Sequence, residues 1–252
     1  MASFTRQGRR NTSLTWIFFP SPFGKKFDLD WRIASADDEE ALSVAFRGCE
    51  VVVQAVMGQL SLIEKSVTPT YKACVKAGVK RLVYISTASV HGQNPPQGTH
   101  EGSVLNDTLD FAYNNYKIRA ERRLRTVRNS GDTEIVILRP GIVFGPRDRW
   151  VSGIAHELSD NRGFVVAGGR GICNSIYVDN LCHAIWLSAT IPCVDKEAFI
   201  VGDAERITWY EMTCLIAEYL NVPLSQILDV PTPVFNQTWK DRFNGIRGNW
   251  AT

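Results

Sequence analysis

Three short apolar runs decide the fold: Glu50-Val51-Val52-Val53-Gln54-Ala55-Val56, Arg81-Leu82-Val83-Tyr84-Ile85-Ser86 and Glu134-Ile135-Val136-Ile137-Leu138. Each run is rich in β-branched residues and has the length of a buried strand. Amphipathic, helix-like stretches separate each run from the next. Strands that alternate with helices in this way are typical of a parallel sheet with crossover helices. The sequence therefore predicts an α/β fold.

Further elements are predicted around these runs. Asp37 and Asp38 are expected to begin a helix that ends at Arg47, and two more helices are expected over 61–77 and 109–129. Beyond Leu138 the pattern is less regular. We expect short strands over 164–167, 175–178 and 199–202, and helices over 179–190 and 208–220. The predicted organisation is an incomplete sheet domain over 1–146, a mixed second lobe with returning sheet elements over 147–230, and a loosely ordered tail over 231–252.

Composition favours small-molecule chemistry. The 252 residues are 44% hydrophobic, so the chain can bury a sizeable core, and its net charge is only +2. This balance does not favour nucleic acid or an acidic membrane surface as a partner. The arginines of the long helix over 109–129 are expected to form a solvated face. We expect a small-molecule substrate and a homodimer, with no nucleic acid and no membrane.

The cysteines and the N-terminal segment indicate a cytoplasmic protein. Six scattered cysteines form no C-x-x-C pair and no zinc-ligand spacing, so we expect reduced thiols and no metal. Three arginines precede the apolar run Leu14 to Phe19, but that run is too short for a signal peptide and Pro20 ends it. No run approaches the roughly 18 apolar residues that a membrane span needs.

The segment Tyr113-Asn114-Asn115-Tyr116-Lys117 lies within a helical pattern. Tyr113 and Lys117 are one turn apart and point the same way, so their polar ends can share one site. A lysine ammonium beside a phenol favours the phenolate, which makes an acid/base for proton transfer at an alcohol or carbonyl. Taken alone this spacing is also a common accident of a helix surface.

A second group of hydroxyls follows a predicted strand. The segment Tyr84-Ile85-Ser86-Thr87-Ala88-Ser89-Val90-His91-Gly92 places them at the carboxyl end of that strand, where parallel sheets bind ligands. Thr87 could hydrogen-bond the substrate oxygen that Tyr113 protonates. Equally, the segment could be a Ser/Thr turn that closes the strand.

In order along the chain, these segments resemble the signatures of extended short-chain dehydrogenases/reductases, the NAD-dependent epimerase/dehydratase family. The signatures are Ser86-Thr87-x-x-Val90-His91-Gly92, Tyr113-x-x-x-Lys117, Leu138-Arg139-Pro140-Gly141-Ile142-Val143-Phe144-Gly145-Pro146 and Ile176-Tyr177-Val178-Asp179-Asn180. The similarity extends over roughly residues 33 to 220. It implies a Rossmann-like parallel sheet with flanking helices and a small C-terminal substrate lobe.

The resemblance also implies roles for particular residues. Thr87, Tyr113 and Lys117 would be catalytic. Thr87 and Tyr113 would act on the substrate oxygen, Lys117 would hold the nicotinamide ribose, and Tyr113 would also contact the cofactor. Ala55 would lie against the cofactor at the end of its strand, and the turn at Pro140 and Gly141 would place its backbone by the nicotinamide carboxamide. The segment 177–180 would support the substrate lobe, or else Asp179 would simply cap the next helix.

The sequence departs from the family at one place. It contains no G-x-x-G-x-x-G turn, whose backbone N–H groups and helix N-terminus receive the cofactor pyrophosphate in that family. Residues 11–20 and 27–33 align with the family's second and third strands, so the sheet is expected to be incomplete at its N-terminal side. Binding of NAD or NADP is therefore expected to be impaired.

Two functions follow from the sequence. The first is an enzyme, an NAD(P)-dependent oxidoreductase or epimerase/dehydratase that acts on an alcohol or carbonyl of a nucleotide sugar or a steroid-like alcohol. The second is a non-catalytic binding or scaffold relative that has kept the fold and lost the cofactor. Substrate contacts lie in variable loops, so the sequence does not identify the substrate.

Overall fold

The computed structural model describes residues 30–232. The chain folds into two compact units. Among the described residues, the larger unit comprises 30–144 and Ser175–Ala204, and the smaller unit comprises Gly145–Asn174 and 205–232. The boundaries expected after residues 146 and 230 stay predictions. The strand expected over 11–20, residues 27–29 of the one expected over 27–33 and nearly all of the expected tail lie outside the described residues, and residues 30–33 form no strand.

Eight strands and seven α-helices are assigned within the described residues. The strands are β1 (Val51–Gln54), β2 (Arg81–Ile85), β3 (Glu134–Pro140), β4 (Ile142–Phe144), β5 (Phe164–Val166), β6 (Ser175–Tyr177), β7 (Ala198–Val201) and β8 (Leu228–Val230). The helices are α1 (Glu39–Ala45), α2 (Leu60–Lys65), α3 (Val67–Ala77), α4 (Ala112–Val127), α5 (Arg149–Ser159), α6 (Val178–Thr190) and α7 (Trp209–Tyr219).

A four-stranded parallel sheet forms the centre of the larger unit, with the order β1-β2-β3-β7. The three runs that predicted strands are its first three strands, so the predicted α/β fold with a parallel sheet is confirmed. Gln54, Tyr84 and Ile137 lie side by side across it. All residues of β3 after Glu134 are buried, as expected of a strand that is covered on both faces. A separate parallel pair, β4 with β6, belongs to the same unit.

The prediction of a single helix over 61–77 is wrong, because the structure has two helices there. The break falls at Ser66, between α2 and α3. Pro69 explains the break: it has no N–H to donate to the carbonyl of Lys65, although proline is tolerated in the first turn of a new helix. At the other end, α3 stops at Gly78, which adopts the left-handed conformation with φ +71°.

The other predicted helices of the larger unit form at nearly the predicted positions. The Asp38 side chain accepts a hydrogen bond from the Ala41 N–H and so caps α1. The helix expected over 109–129 begins three residues later, as α4, and ends at Val127, after which one 3₁₀ turn follows. Helix α4 buries Ile118, Ala120 and Leu124. These residues anchor the helix that carries Tyr113 and Lys117.

The smaller unit contains the parallel pair β5 and β8 with helices α5 and α7. Helix α5 is absent from the sequence-based prediction. The Asp148 side chain caps it by accepting hydrogen bonds from two backbone N–H groups. A full capping box between Thr208 and Glu211 begins α7, which matches the predicted helix over 208–220. Leu158, Ile216 and Ala217 form the buried centre of this unit.

Among residues 30–232, no helix is both long enough and apolar enough to cross a membrane.

Candidate active site

Four of the predicted site positions follow the carboxyl ends of neighbouring strands. Ala55 comes directly after β1, Thr87 lies two residues after β2, and Pro140 and Gly141 lie at the end of β3. The strands are parallel and in register, with Ile85 beside Leu138, so these positions share one edge of the sheet. Ligands of open α/β sheets bind at this edge.

Lys117 reaches the same edge from α4. Its side chain is buried, and its Nζ donates a hydrogen bond of 2.7 Å to the carbonyl oxygen of Ile85, the last residue of β2. The ammonium also lies 5.0 Å from the centroid of the Tyr84 ring and 5.9 Å from that of Tyr113. Burial lowers the pKa of Lys117 to about 8, against the opposing effect of the Glu121 carboxylate. The Lys117 ammonium therefore loses its proton at mildly alkaline pH.

Tyr113 is half-buried one turn before Lys117, and its hydroxyl lies 3.8 Å from the Met57 sulfur. Burial raises the pKa of Tyr113 above its ordinary value. That Lys117 lowers this pKa stays a prediction, since the Lys117 ammonium is hydrogen-bonded to the Ile85 carbonyl and faces the Tyr113 ring.

Thr87 has the local role that a turn residue would have. Its side chain accepts a hydrogen bond from the Ser89 N–H and so caps a 3₁₀ turn over Ala88–His91. Its hydroxyl also contacts the Ser89 hydroxyl at 2.9 Å, and Ser89 in turn donates to the Asn114 side chain at 2.8 Å. The turn and the sheet-edge interpretations are thus compatible, because the capping threonine lies at the ligand-binding edge.

A buried ion pair links the elements around this edge. The Arg139 guanidinium contacts the Glu121 carboxylate at 2.7 Å, and the exposed fractions of the two side chains are 3% and 2%. The Ser86 hydroxyl donates to Glu121, and Arg139 also contacts the His91 ring and donates to the Glu101 carbonyl. Burial, with the positive charge of Arg139, lowers the pKa of His91.

Sequence reasoning missed the pairing of Glu121 with Arg139. A signal was present, because Arg139 directly follows the apolar run of β3, and Glu121 lies one turn after Lys117 on the same helix face. The description of Arg139-Pro140-Gly141 as a turn is also wrong. Arg139 and Pro140 are the last residues of β3, and the Gly141 N–H donates to the Val201 carbonyl at 3.0 Å. That N–H is therefore used within the sheet.

The segment Tyr177-Val178-Asp179-Asn180 begins α6. Tyr177 is the residue before the helix, and Asp179 lies in its first turn without capping it, so the expected cap by Asp179 is wrong. Asp203 holds the segment instead, by accepting hydrogen bonds from the Tyr177 N–H and the Asn180 amide. The Tyr177 ring packs edge-on against Phe144, with their centroids 5.4 Å apart.

The chemistry of the edge suits one end of a nicotinamide dinucleotide. The Lys117 ammonium, which now donates to the Ile85 carbonyl, could instead donate a hydrogen bond to a ribose hydroxyl. Ala55 offers a small side chain at the end of β1. Tyr84 adds a buried hydroxyl that has no hydrogen-bond partner among the described residues. For the pyrophosphate end, the chain has no G-x-x-G-x-x-G turn. Within residues 30–232, no cluster of three His, Cys, Asp or Glu side chains could hold a metal ion.

Comparison with protein families gives one match over most of the chain. The sequence profile of the 3-beta hydroxysteroid dehydrogenase/isomerase family matches residues 38–230. The matched segment includes every predicted site residue and extends from the cap of α1 to the last residue of β8.

Curated relatives are similar over about half of the chain or more. The UDP-glucose 4-epimerase of Vibrio cholerae is 26% identical over 167 residues, which is 65% of this chain and 50% of that protein. The human sterol-4-alpha-carboxylate 3-dehydrogenase, decarboxylating, is 30% identical over 145 residues, which is 54% of this chain and 37% of that protein. The chain thus spans half or less of the length of these two relatives.

A solved structure shares the fold. The dTDP-glucose 4,6-dehydratase DesIV of Streptomyces venezuelae, crystallised with NAD, superposes with a TM-score of 0.70 at 19% identity. The match covers 84% of this chain and 70% of that one. The predicted Rossmann-like parallel sheet is confirmed by this similarity.

Proposed function

Since the chain belongs to the 3-beta hydroxysteroid dehydrogenase/isomerase family, of the extended short-chain dehydrogenase type, we propose that it is an NAD(P)-dependent enzyme that acts on an alcohol or carbonyl of a small molecule. Its substrate is a steroid-like alcohol or a nucleotide sugar, the two classes named in its curated relatives. A cytoplasmic location and a homodimer are part of the same proposal.

The observation that carries this proposal is the setting of Lys117. A lysine that is 1% exposed, held by the carbonyl at the end of β2 and one turn from a tyrosine, is costly to keep in a protein interior. Strongly perturbed lysines of this kind are common at functional sites. Its position at the carboxyl edge of a parallel sheet, where ligands of such sheets bind, supports a ligand-binding role.

In the proposed reaction, Tyr113 transfers a proton to or from the substrate oxygen. Its ordinary phenol pKa is too high for a base at neutral pH, and burial raises that pKa further. Lys117 must therefore act when the site is filled, once its Nζ turns from the Ile85 carbonyl and its positive charge stabilises the phenolate. Thr87 orients the same substrate oxygen by a hydrogen bond from its hydroxyl. A nicotinamide dinucleotide held by Lys117 and Ala55 would supply the hydride acceptor or donor.

A turnover assay tests the proposal directly. The purified chain is incubated with millimolar NAD⁺ or NADP⁺ and either a 3β-hydroxysteroid or UDP-glucose. Formation of the reduced cofactor is followed for the steroid, and conversion to the 4-epimer is followed for the sugar. We expect turnover with one of the two substrates. If a folded sample turns over neither substrate, the proposal that the chain is an enzyme is contradicted.

A second candidate function is a non-catalytic relative that has lost cofactor binding, and the missing glycine-rich turn favours it. Both candidates predict weak affinity for a free dinucleotide, because the sequence lacks the G-x-x-G-x-x-G turn whose backbone N–H groups receive the pyrophosphate in that family. We expect calorimetry to give a Kd for NAD(H) well above micromolar. Submicromolar binding would show that another segment replaces the turn.

A further inference from the structure

Three side chains connect the turn after β2 to helix α4. The Thr87 and Ser89 hydroxyls lie 2.9 Å apart, and the Ser89 hydroxyl donates to Asn114 Oδ1 at 2.8 Å. Asn114 directly follows Tyr113 in α4. The contacts therefore join the two segments that carry the proposed reactive oxygens.

Asn114 is an unusual residue for a buried helix position. It is 2% exposed, and its Nδ2 has no hydrogen-bond partner among the described residues. A buried amide donor without a partner lowers stability, and asparagine is also a weak helix former. Fold stability therefore does not explain the presence of this side chain, and an unsatisfied buried group of this kind calls for another explanation.

The neighbouring Asn115 has a structural role by contrast. Its Oδ1 accepts from the Leu109 N–H at 2.9 Å and its Nδ2 donates to the Leu109 carbonyl at 2.7 Å. Both ends of that amide are satisfied, and both bonds hold the chain entering α4. Asn115 therefore serves as a matched control. It has the same side chain one residue further along the helix, and its side-chain hydrogen bonds go to Leu109 and not to Ser89.

We propose that Asn114 is a positioning residue for the Thr87 hydroxyl and acts through Ser89. Among the described residues, the Thr87 side chain has one other hydrogen bond, a long one of 3.3 Å from the Ser89 N–H. Asn114 fixes the Ser89 hydroxyl, and the fixed hydroxyl selects one rotamer of Thr87. The hydroxyl of Thr87 then keeps a set position relative to Tyr113. This inference rests on the proposed function, in which Thr87 orients the substrate oxygen.

The first test measures the Thr87 rotamer and needs no turnover. Three-bond couplings to the Thr87 methyl group are recorded by NMR for the parent, Asn114→Leu, Ser89→Ala and Asn115→Ala. We expect one rotamer in the parent and in Asn115→Ala, and averaging among rotamers in the other two variants. A single unchanged rotamer in Asn114→Leu and Ser89→Ala would overturn the proposal. Ser89→Ala decides the question if Asn114→Leu fails to fold.

Thermal stability separates positioning from a structural role. Asn114→Leu removes an unpaired buried donor and introduces a better helix former, so we expect an unchanged or higher Tm together with the loss of rotamer order. Asn115→Ala removes two satisfied hydrogen bonds, and we expect it to lower the Tm while Thr87 stays ordered. A fall in Tm for Asn114→Leu with ordered Thr87 would mean a structural role and would overturn the proposal.

Kinetics then link the rotamer to catalysis. We expect Asn114→Leu to lower kcat by at least about tenfold with little change in KM, because a misplaced group costs rate more than binding. In a Thr87→Val background the same change should have no further effect, since the two residues act on one group. If Thr87→Val itself leaves kcat unchanged, the role of Thr87 in the proposed function fails, and the rotamer result still decides the role of Asn114.

Discussion

Helix α4 has charged residues on two faces that differ in burial. On one face, Arg119, Arg122 and Arg123 pair with Glu64 and Asp107, and the arginine side chains are 34–52% exposed. On the other face, Glu121 pairs with Arg139, and both side chains are 3% exposed or less. The same residue types and similar distances thus occur in two very different surroundings.

The difference shows that burial, and not the number of ion pairs, decides what a charge contributes. Solvent screens the exposed pairs, so each stabilises the fold only slightly. Neither charge of the buried pair can be removed alone without leaving the other unpaired in the interior. The buried pair also forms hydrogen bonds with Ser86 and His91, which lie on either side of Thr87 in the sequence. The buried face of α4 therefore holds the segment around Thr87 in place, whereas the exposed face is in contact with solvent.

Breaking the buried pair should have the largest effect. Glu121→Leu leaves the Arg139 guanidinium buried without its carboxylate, and we expect a loss of about 3–5 kcal/mol in the free energy of unfolding. Urea denaturation measures the loss. The double variant Glu121→Leu with Arg139→Met should recover most of it, because no charge then remains unpaired. A single variant as stable as the parent would remove the distinction between the two faces.

An intermediate effect is expected at Lys117. Burial lowers its pKa to about 8 from an ordinary value near 10.5, so the folded state opposes its charge. The cost is fully present below pH 8 and is relieved as the pH rises toward 10.5, where the unfolded chain also loses the proton. Lys117→Met should therefore stabilise the protein more at pH 7 than at pH 10, by about 2–3 kcal/mol.

Urea denaturation of the parent and of Lys117→Met at the two pH values measures this difference. Lys65→Met is a suitable control, since Lys65 lies on the exposed side of the last turn of α2. The same measurements on this variant report any general effect of pH on a lysine-to-methionine change at an exposed position. An equal effect of Lys117→Met at both pH values would mean that Lys117 has an ordinary pKa and that its surroundings do not perturb it.

The smallest effect is expected on the exposed face. Arg123→Ala removes one partner of Glu64, whose carboxylate also contacts Arg119 at 3.0 Å. We expect a change of about 0.2–1 kcal/mol in the free energy of unfolding, decreasing further at high salt. Urea denaturation at two salt concentrations measures it. A loss that rivals that of Glu121→Leu would contradict the interpretation of this face as solvated.

The sequence predicted the sheet well because its strands are continuous apolar runs. Val51–Gln54, Arg81–Ile85 and Glu134–Pro140 form where the runs occur, since strands of a sheet covered by helices are mostly apolar. The break at Ser66 was missed because periodicity continues across it and only Pro69 marks it. Helix α5 was missed because its apolar face lies in a short segment that also contains Gly153.

The candidate site was predictable only in part. Tyr113 and Lys117 were recognisable from a spacing that one helix fixes, and Thr87 from its place after a strand. The contacts of Asn114 with Ser89 and of Glu121 with Arg139 were not, because each joins segments 18 or more residues apart. Burial raises the pKa of Tyr113, and that burial depends on tertiary packing that the helix spacing does not show.

The most direct test of the proposed active site is the kcat of Tyr113→Phe. This change removes one hydroxyl and keeps the ring, so we expect unchanged folding and a kcat lower by about a hundred- to ten-thousandfold. Tyr116→Phe is the matched control, because Tyr116 packs its ring against Arg119 three residues further along the same helix, and it should keep the parent kcat. Near-normal turnover by Tyr113→Phe, with a substrate that the parent accepts, would contradict the account and reduce the Tyr113–Lys117 pair to a coincidence of helix spacing.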